Sequence, residues 1–125
     1  MTAFTTRVPW RGGKAWEVAQ GAASLVAHIN VAETVVVSLA GELDIGGSAA
    51  LGALVDTVWQ AGWTRVQVDL RGVDFIDSSG LRALLDFSRE LAQIGCVMDT
   101  RAPEGGMVRL LIDLTSTQQL LRLDR

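Results

Sequence analysis

A chain of 125 residues can bury the core of one domain but not of two. Apolar residues make up 49% and charged residues 20%, as expected of a soluble globular protein, and a net charge of −3 offers no basic stripe for nucleic acid. With one cysteine, Cys96, and one histidine, His28, an internal disulfide and the Cys/His spacings of a zinc site are both excluded.

Residues 1–20 fit no period. They hold Pro9, Gly12, Gly13, Trp10 and Trp16 and are expected as an extension, flexible or docked through its tryptophans, ahead of a domain spanning residues 21–125. A first strand is expected over 23–31, with His28 as a strand-surface residue rather than a ligand. Ala32-Glu33-Thr34 turns into a second strand over 35–40, where three consecutive valines favour β structure. Gly41-Glu42-Leu43-Asp44 closes that strand. Ile45-Gly46-Gly47-Ser48 then leads into a helix capped by Ser48, with Leu51, Leu54, Val55, Val58 and Trp59 at the spacing of one buried face.

This helix should end near Ala61-Gly62. In the third strand Val66, Val68 and Leu70 alternate with Gln67 and Asp69. The next helix, over about 78–94, buries Leu81, Leu84, Leu85 and Leu91 and stops at Gly95. Cys96-Val97-Met98 forms a short fourth strand whose apolar setting implies a buried thiol in a reducing compartment. Pro103 and Glu104 open a last helix, with Met107, Leu110, Leu111 and Leu114 expected toward the core. Leu120–Leu123 reads as a short strand or a helical tail. No apolar run reaches membrane-spanning length and no signal-peptide core opens the chain, so the expected location is cytoplasmic.

The order β-β-α-β-α-β-α describes a sheet whose later strands are parallel and connected by helices. In such sheets, sites gather beyond the carboxyl ends of the strands. Two of those loops carry acids and hydroxyls: 41–48 and 74–80. In the second, Asp77-Ser78-Ser79-Gly80 turns from strand to helix. Each of Asp77, Ser78 and Ser79 can cap a helix, a contribution of roughly 1 kcal/mol. The same place also suits a phosphoserine, because free N–H groups and the helix dipole favour an anion there. Gly80, lacking a Cβ, would let a bulky group approach.

Enzyme chemistry finds little support. A hydrolase would need a base near Ser78, yet the one histidine lies in an early strand, and no G-x-S-x-G elbow is present. Asp44 and Asp77 have no substrate pocket evident around them. The single lysine, Lys14, is misplaced for an aspartyl-phosphate receiver, and no P-loop occurs. No cofactor is expected.

Gly41-Glu42-Leu43-Asp44, followed by Asp69-Leu70-Arg71-Gly72-Val73-Asp74-Phe75-Ile76-Asp77-Ser78-Ser79-Gly80-Leu81, resembles the anti-anti-sigma factors of the STAS domain family. The resemblance runs from about residue 23 to the C-terminus. It implies an α/β, STAS-like fold: a central mixed β-sheet of four to five strands packed by three to four α-helices. It also implies phosphorylation at Ser78 and partner contacts at Asp44, Asp77, Ser78, Ser79, Gly80, Leu81 and Arg82. The implied partners are an anti-sigma factor of the GHKL-type serine kinases and a serine phosphatase, with the protein a monomer or weak dimer. The alternative is a STAS module of a transporter ATPase or sensory complex, in which Ser78 only caps. Three departures from the family stand out: Gly47-Ser48 in place of an earlier hydroxyl residue, Thr115-Ser116-Thr117 in place of a Thr-Gly turn, and the N-terminal extension.

Overall fold

The computed structural model describes residues 3–10, 13–20, 25–31, 33–44 and 48–123, and for residues 3–20 it describes the backbone alone. Six strands form one mixed sheet: β1 (Ala3–Trp10), β2 (Gly13–Gln20), β3 (Leu25–Val31), β4 (Val35–Leu43), β5 (Arg65–Ile76) and β6 (Val97–Arg101). Among the described residues three helices accompany the sheet: α1 (Ser48–Ala61), α2 (Ser78–Gln93) and α3 (Met107–Leu114). The strands lie side by side in chain order. β1 to β4 form an antiparallel meander, and β4, β5 and β6 are mutually parallel. α1 and α2 connect the parallel neighbours β4, β5 and β6 and pack into one core cluster.

The expected four strands are β3 to β6, and the expected three helices are α1 to α3. The sheet continues beyond them. β2 pairs with β3, and β1 pairs with β2 along its whole length, from Ala3↔Gln20 to Trp10↔Gly13. β1 is the outermost strand, where Pro9, which lacks a backbone N–H, is tolerated. The expected docking of Trp10 and Trp16 and the cap at Ser48 concern side chains outside those described. The lead-in residues 45–47, the turn residue Ala32 and the strand start at 23–24 also lie outside the described residues.

One core joins the sheet to the helices. Leu25, Ala27 and Ile29 of β3, Val37, Leu39 and Leu43 of β4, and Val66, Val68 and Leu70 of β5 are buried. Leu51, Leu54 and Val58 of α1 meet Leu81, Leu84, Phe87 and Leu91 of α2 in the same cluster. Gly95 stands at φ +81° after the last turn of α2, where its N–H donates to the Ala92 carbonyl, while the Cys96 N–H reaches back to Leu91. Cys96 is fully buried, and that burial pushes its thiol pKa up. Among the described residues no helix is long and apolar enough to cross a membrane.

Two expectations about buried faces are corrected. Trp59 is 65% exposed, because Leu51, Leu54 and Val58 already fill the core side of α1 and Trp59 lies on its flank. In α3 the buried residues are Val108 and Ile112, with Leu111 half-buried, whereas Met107, Leu110 and Leu114 are 58%, 58% and 73% exposed. The helix is apolar on both sides, so spacing alone fits either face to the core. The C-terminal segment is neither a full strand nor a helix: turns lead to a single parallel bridge between Leu123 and Thr100. It is pinned by Asp99, which accepts from Arg65 at 2.7 Å and from Arg122 at 3.0 Å. Ser116 holds a left-handed position (φ 56°), a conformation more usual for glycine.

Candidate functional site

β4 and β5 determine what can stand at the carboxyl end of the sheet. They pair in parallel from Ser38↔Asp69 to Leu43↔Ile76, and irregularities let seven residue steps of β5 match five of β4. Asp69 supports this stretch. Its carboxylate accepts from the Arg71 backbone N–H at 3.0 Å and from Arg71 Nη2 at 2.7 Å. Burial pushes the Asp69 carboxyl up, but the Arg71 hydrogen bonds and the Arg71 and Arg101 charges outweigh it and hold the group below its ordinary value. In the sequence Asp69 and Arg71 stand only as part of the strand and its motif; their two-residue spacing, which puts them on one face of β5, is the signal for the pair.

Because Leu43 and Ile76 are opposite, Asp44 and Asp77 leave neighbouring strands at the same end of the sheet. The Asp77 N–H donates to the Leu43 carbonyl at 3.4 Å, tying the corner after β5 to the end of β4. The capping contest among Asp77, Ser78 and Ser79 is resolved. Asp77 is the cap, with extended backbone (φ −120°, ψ −174°), and its Oδ1 accepts from the Gly80 N–H at 2.9 Å and the Ser79 hydroxyl at 2.6 Å. Ser78 is the first residue of α2 and is exposed; Ser79 is half-buried.

The Ser79 hydroxyl and, next, the Gly80 N–H hold the Asp77 carboxyl below the ordinary carboxylate value. A carboxyl depressed in the folded state contributes stability that is complete above its unfolded pKa and is lost as pH falls through the folded one. Asp77→Asn keeps a capping side chain but removes the charge. Its melting temperature should therefore lie below wild type at neutral pH, and thermal melts in increasingly acidic buffer should show the gap closing. A gap independent of pH would mean that the charge at Asp77 contributes nothing.

Among the other expected contact residues, Arg82 is exposed on α2, whereas Gly80 and Leu81 are buried. Neither of these two, expected as partner contacts, presents an open side chain at the corner. The missing Cβ of Gly80 serves internal packing: a Cβ there would overlap the Leu43 carbonyl oxygen and lie 2.6 Å from its carbonyl carbon. Leu81 is part of the core. The accessible corner consists of Asp77, Ser78 and Ser79, with Arg82 one turn on and Asp44 on the adjoining loop. It presents an exposed hydroxyl-bearing residue at a helix start and two acids nearby, with no histidine in this stretch to act as a base.

Residues 29–122 match the protein family described as "Mlab, STAS domain". No curated protein is significantly similar to the chain. Several solved structures are similar. The anti-sigma factor antagonist SpoIIAA in its unphosphorylated form is 26% identical, with a TM-score of 0.53 over 70% of this chain and 82% of that one. The Bacillus cell-fate determinant SpoIIAA in its phosphorylated form is 24% identical, with a TM-score of 0.56 over 79% and 91%. An anti-sigma factor antagonist from Mycobacterium paratuberculosis is 22% identical, with a TM-score of 0.56 over 98% and 85%. The last two likenesses establish the fold alone.

Proposed function

The chain belongs to the STAS domain family, and on that premise we propose that it is an anti-sigma factor antagonist switched off by phosphorylation of Ser78. The observation that carries the reading is the exposed Ser78 at the first position of α2, with the capping done by Asp77 instead. The likeness to SpoIIAA, solved in both phosphorylated and unphosphorylated forms, supports it. In this reading the unphosphorylated protein binds an anti-sigma factor, a GHKL-type serine kinase, and so frees the sigma factor. The kinase transfers the γ-phosphoryl group of ATP to the Ser78 oxygen, releasing ADP, and the complex separates. A serine phosphatase hydrolyses the phosphoserine and resets the cycle.

The added phosphate brings about −1.5 to −2 charges to a helix start, which tolerates an anion. It would stand beside Asp77, on the end of the sheet shared with Asp44. A partner surface adapted to the unmodified corner then meets crowded negative charge, and dissociation needs no refolding of the domain. The chain acts as a binding module in the cytoplasm, with no catalytic residue or cofactor of its own. Residues 21–125 form the domain proper in this reading, and β1 and β2 extend its sheet at one edge.

Intact-mass spectrometry after incubation with ATP and purified anti-sigma serine kinases of the same genome tests the reading. One added phosphate, mapped to Ser78 and accompanied by loss of the complex in gel filtration, is the expected result. A stable complex with no phosphate on any serine would remove the switch. It would favour a second reading, a STAS module binding another partner, which has on its side the description of the matched family as Mlab.

A further inference from the structure

A groove between α1 and α2 begins one helical turn beyond the corner. Its cavity, about 130 Å³, is lined by Leu51 and Gly52 of α1 and by Ala83, Asp86, Phe87 and Glu90 of α2. On α2, Ser79, Ala83, Asp86 and Glu90 follow one another at helical spacing, so one line of side chains runs from the corner into the cavity wall. On α1, Gly52, Val55 and Trp59 stand at i, i+3 and i+7, on one side of the helix. Gly52 leaves the cavity open, since a Cβ there would meet nothing within 4 Å. Trp59, 65% exposed, stands two helical turns beyond Gly52 on α1. Exposed tryptophans of this kind often anchor protein partners.

The groove is acidic. Asp86 already bonds Arg89 at 2.6 Å. Glu90, and Asp56 on the exposed side of α1, are exposed and have no ion-pair partner among the described residues. We infer that this groove seats a lysine- or arginine-bearing segment of the anti-sigma partner, which inserts one apolar side chain into the cavity at Gly52 and lies against Trp59. The inference rests on the proposed function and adds to it a specific docking track. Ser78, at the head of that track, becomes the place where a new negative charge repels the partner, while the groove supplies contact area.

Two variants test it. Gly52→Leu fills the cavity from a position where helix propensity favours the larger residue, so the fold should hold or gain stability. Glu90→Arg reverses the rim charge on an exposed position. Binding is measured by titration calorimetry with the purified kinase that phosphorylates Ser78, beside Ser78→Asp and, as a surface control, Leu114→Asp on the exposed side of α3. Both groove variants should bind about tenfold more weakly or worse, with melting temperatures preserved, while Leu114→Asp binds normally. Groove variants within about twofold of wild type, alongside loss of binding in Ser78→Asp, would overturn the groove and leave the switch standing. Loss confined to Leu114→Asp would overturn it in favour of α3. A wild-type protein that binds no such kinase would remove the functional reading and the groove together.

Discussion

Gly80→Ala should destabilise the domain by about 2–4 kcal/mol, against the usual preference for alanine in a helix. In an open helix the change gains up to about 1 kcal/mol. Here α2 starts directly over the end of β4, and the new methyl group would occupy the position of the Leu43 carbonyl oxygen. Relief requires α2 to lift from β4. Such a shift strains the Asp77 N–H bond to Leu43 and opens the packing of Leu81 and Leu84 in the core. For a domain of this size the loss corresponds to a fall in melting temperature on the order of 10 °C. Urea unfolding and thermal melts of the variant decide the matter, and a melting temperature at or above wild type would mean that α2 tolerates a Cβ at this contact.

Ser78→Asp should lower affinity for the anti-sigma partner by about tenfold or more while leaving the fold intact. The two effects separate because they have different origins. Within the domain, an acid in the first turn of α2 interacts favourably with the helix dipole, so thermal stability should be unchanged or slightly raised. Across an interface, the same carboxylate joins that of Asp77, which Ser79 and Gly80 keep ionised, and must be desolvated beside it. Ser78→Ala should bind like wild type and accept no phosphate. Equal affinity of Ser78→Asp and wild type in calorimetry would eliminate the electrostatic switch, and a large fall in its melting temperature would show that Ser78 is structural after all.

The strands and helices from residue 25 onward were legible because their patterns are strong. Val66, Val68 and Leu70 alternate, Leu81, Leu84 and Leu91 repeat at helical spacing, and Gly95 stops α2 where a left-handed residue is needed. The pairing of β1 and β2 was not legible. Pro9, Gly12 and Gly13 interrupt any alternation, and pairing along β2 supplies what local preference does not. In α3, Val108 and Ile112 compete with Met107, Leu110 and Leu114 for the core, and a one-dimensional pattern has no means of choosing between two apolar faces. At the corner, the residue types were readable but their division of labour was not. Which of three neighbouring side chains caps depends on backbone angles, and the close approach of Gly80 to Leu43 joins residues far apart in the chain.

The strands stand in the sheet in the order in which they are synthesised. No strand has to be slotted between two that have already paired, and each finds its partner in the one made just before it. A chain emerging from the ribosome can therefore extend the sheet from β1 toward β6, adding α1 and α2 as it goes. At every stage the growing side is one open edge, and the next strand to appear is the one that covers it. Assembly in this direction keeps unpaired backbone brief and local, which limits wrong pairing between neighbouring nascent chains. The carboxylate of Asp99, gripped by Arg65 from β5 and by Arg122 beyond α3, then secures β6 once residue 122 has emerged.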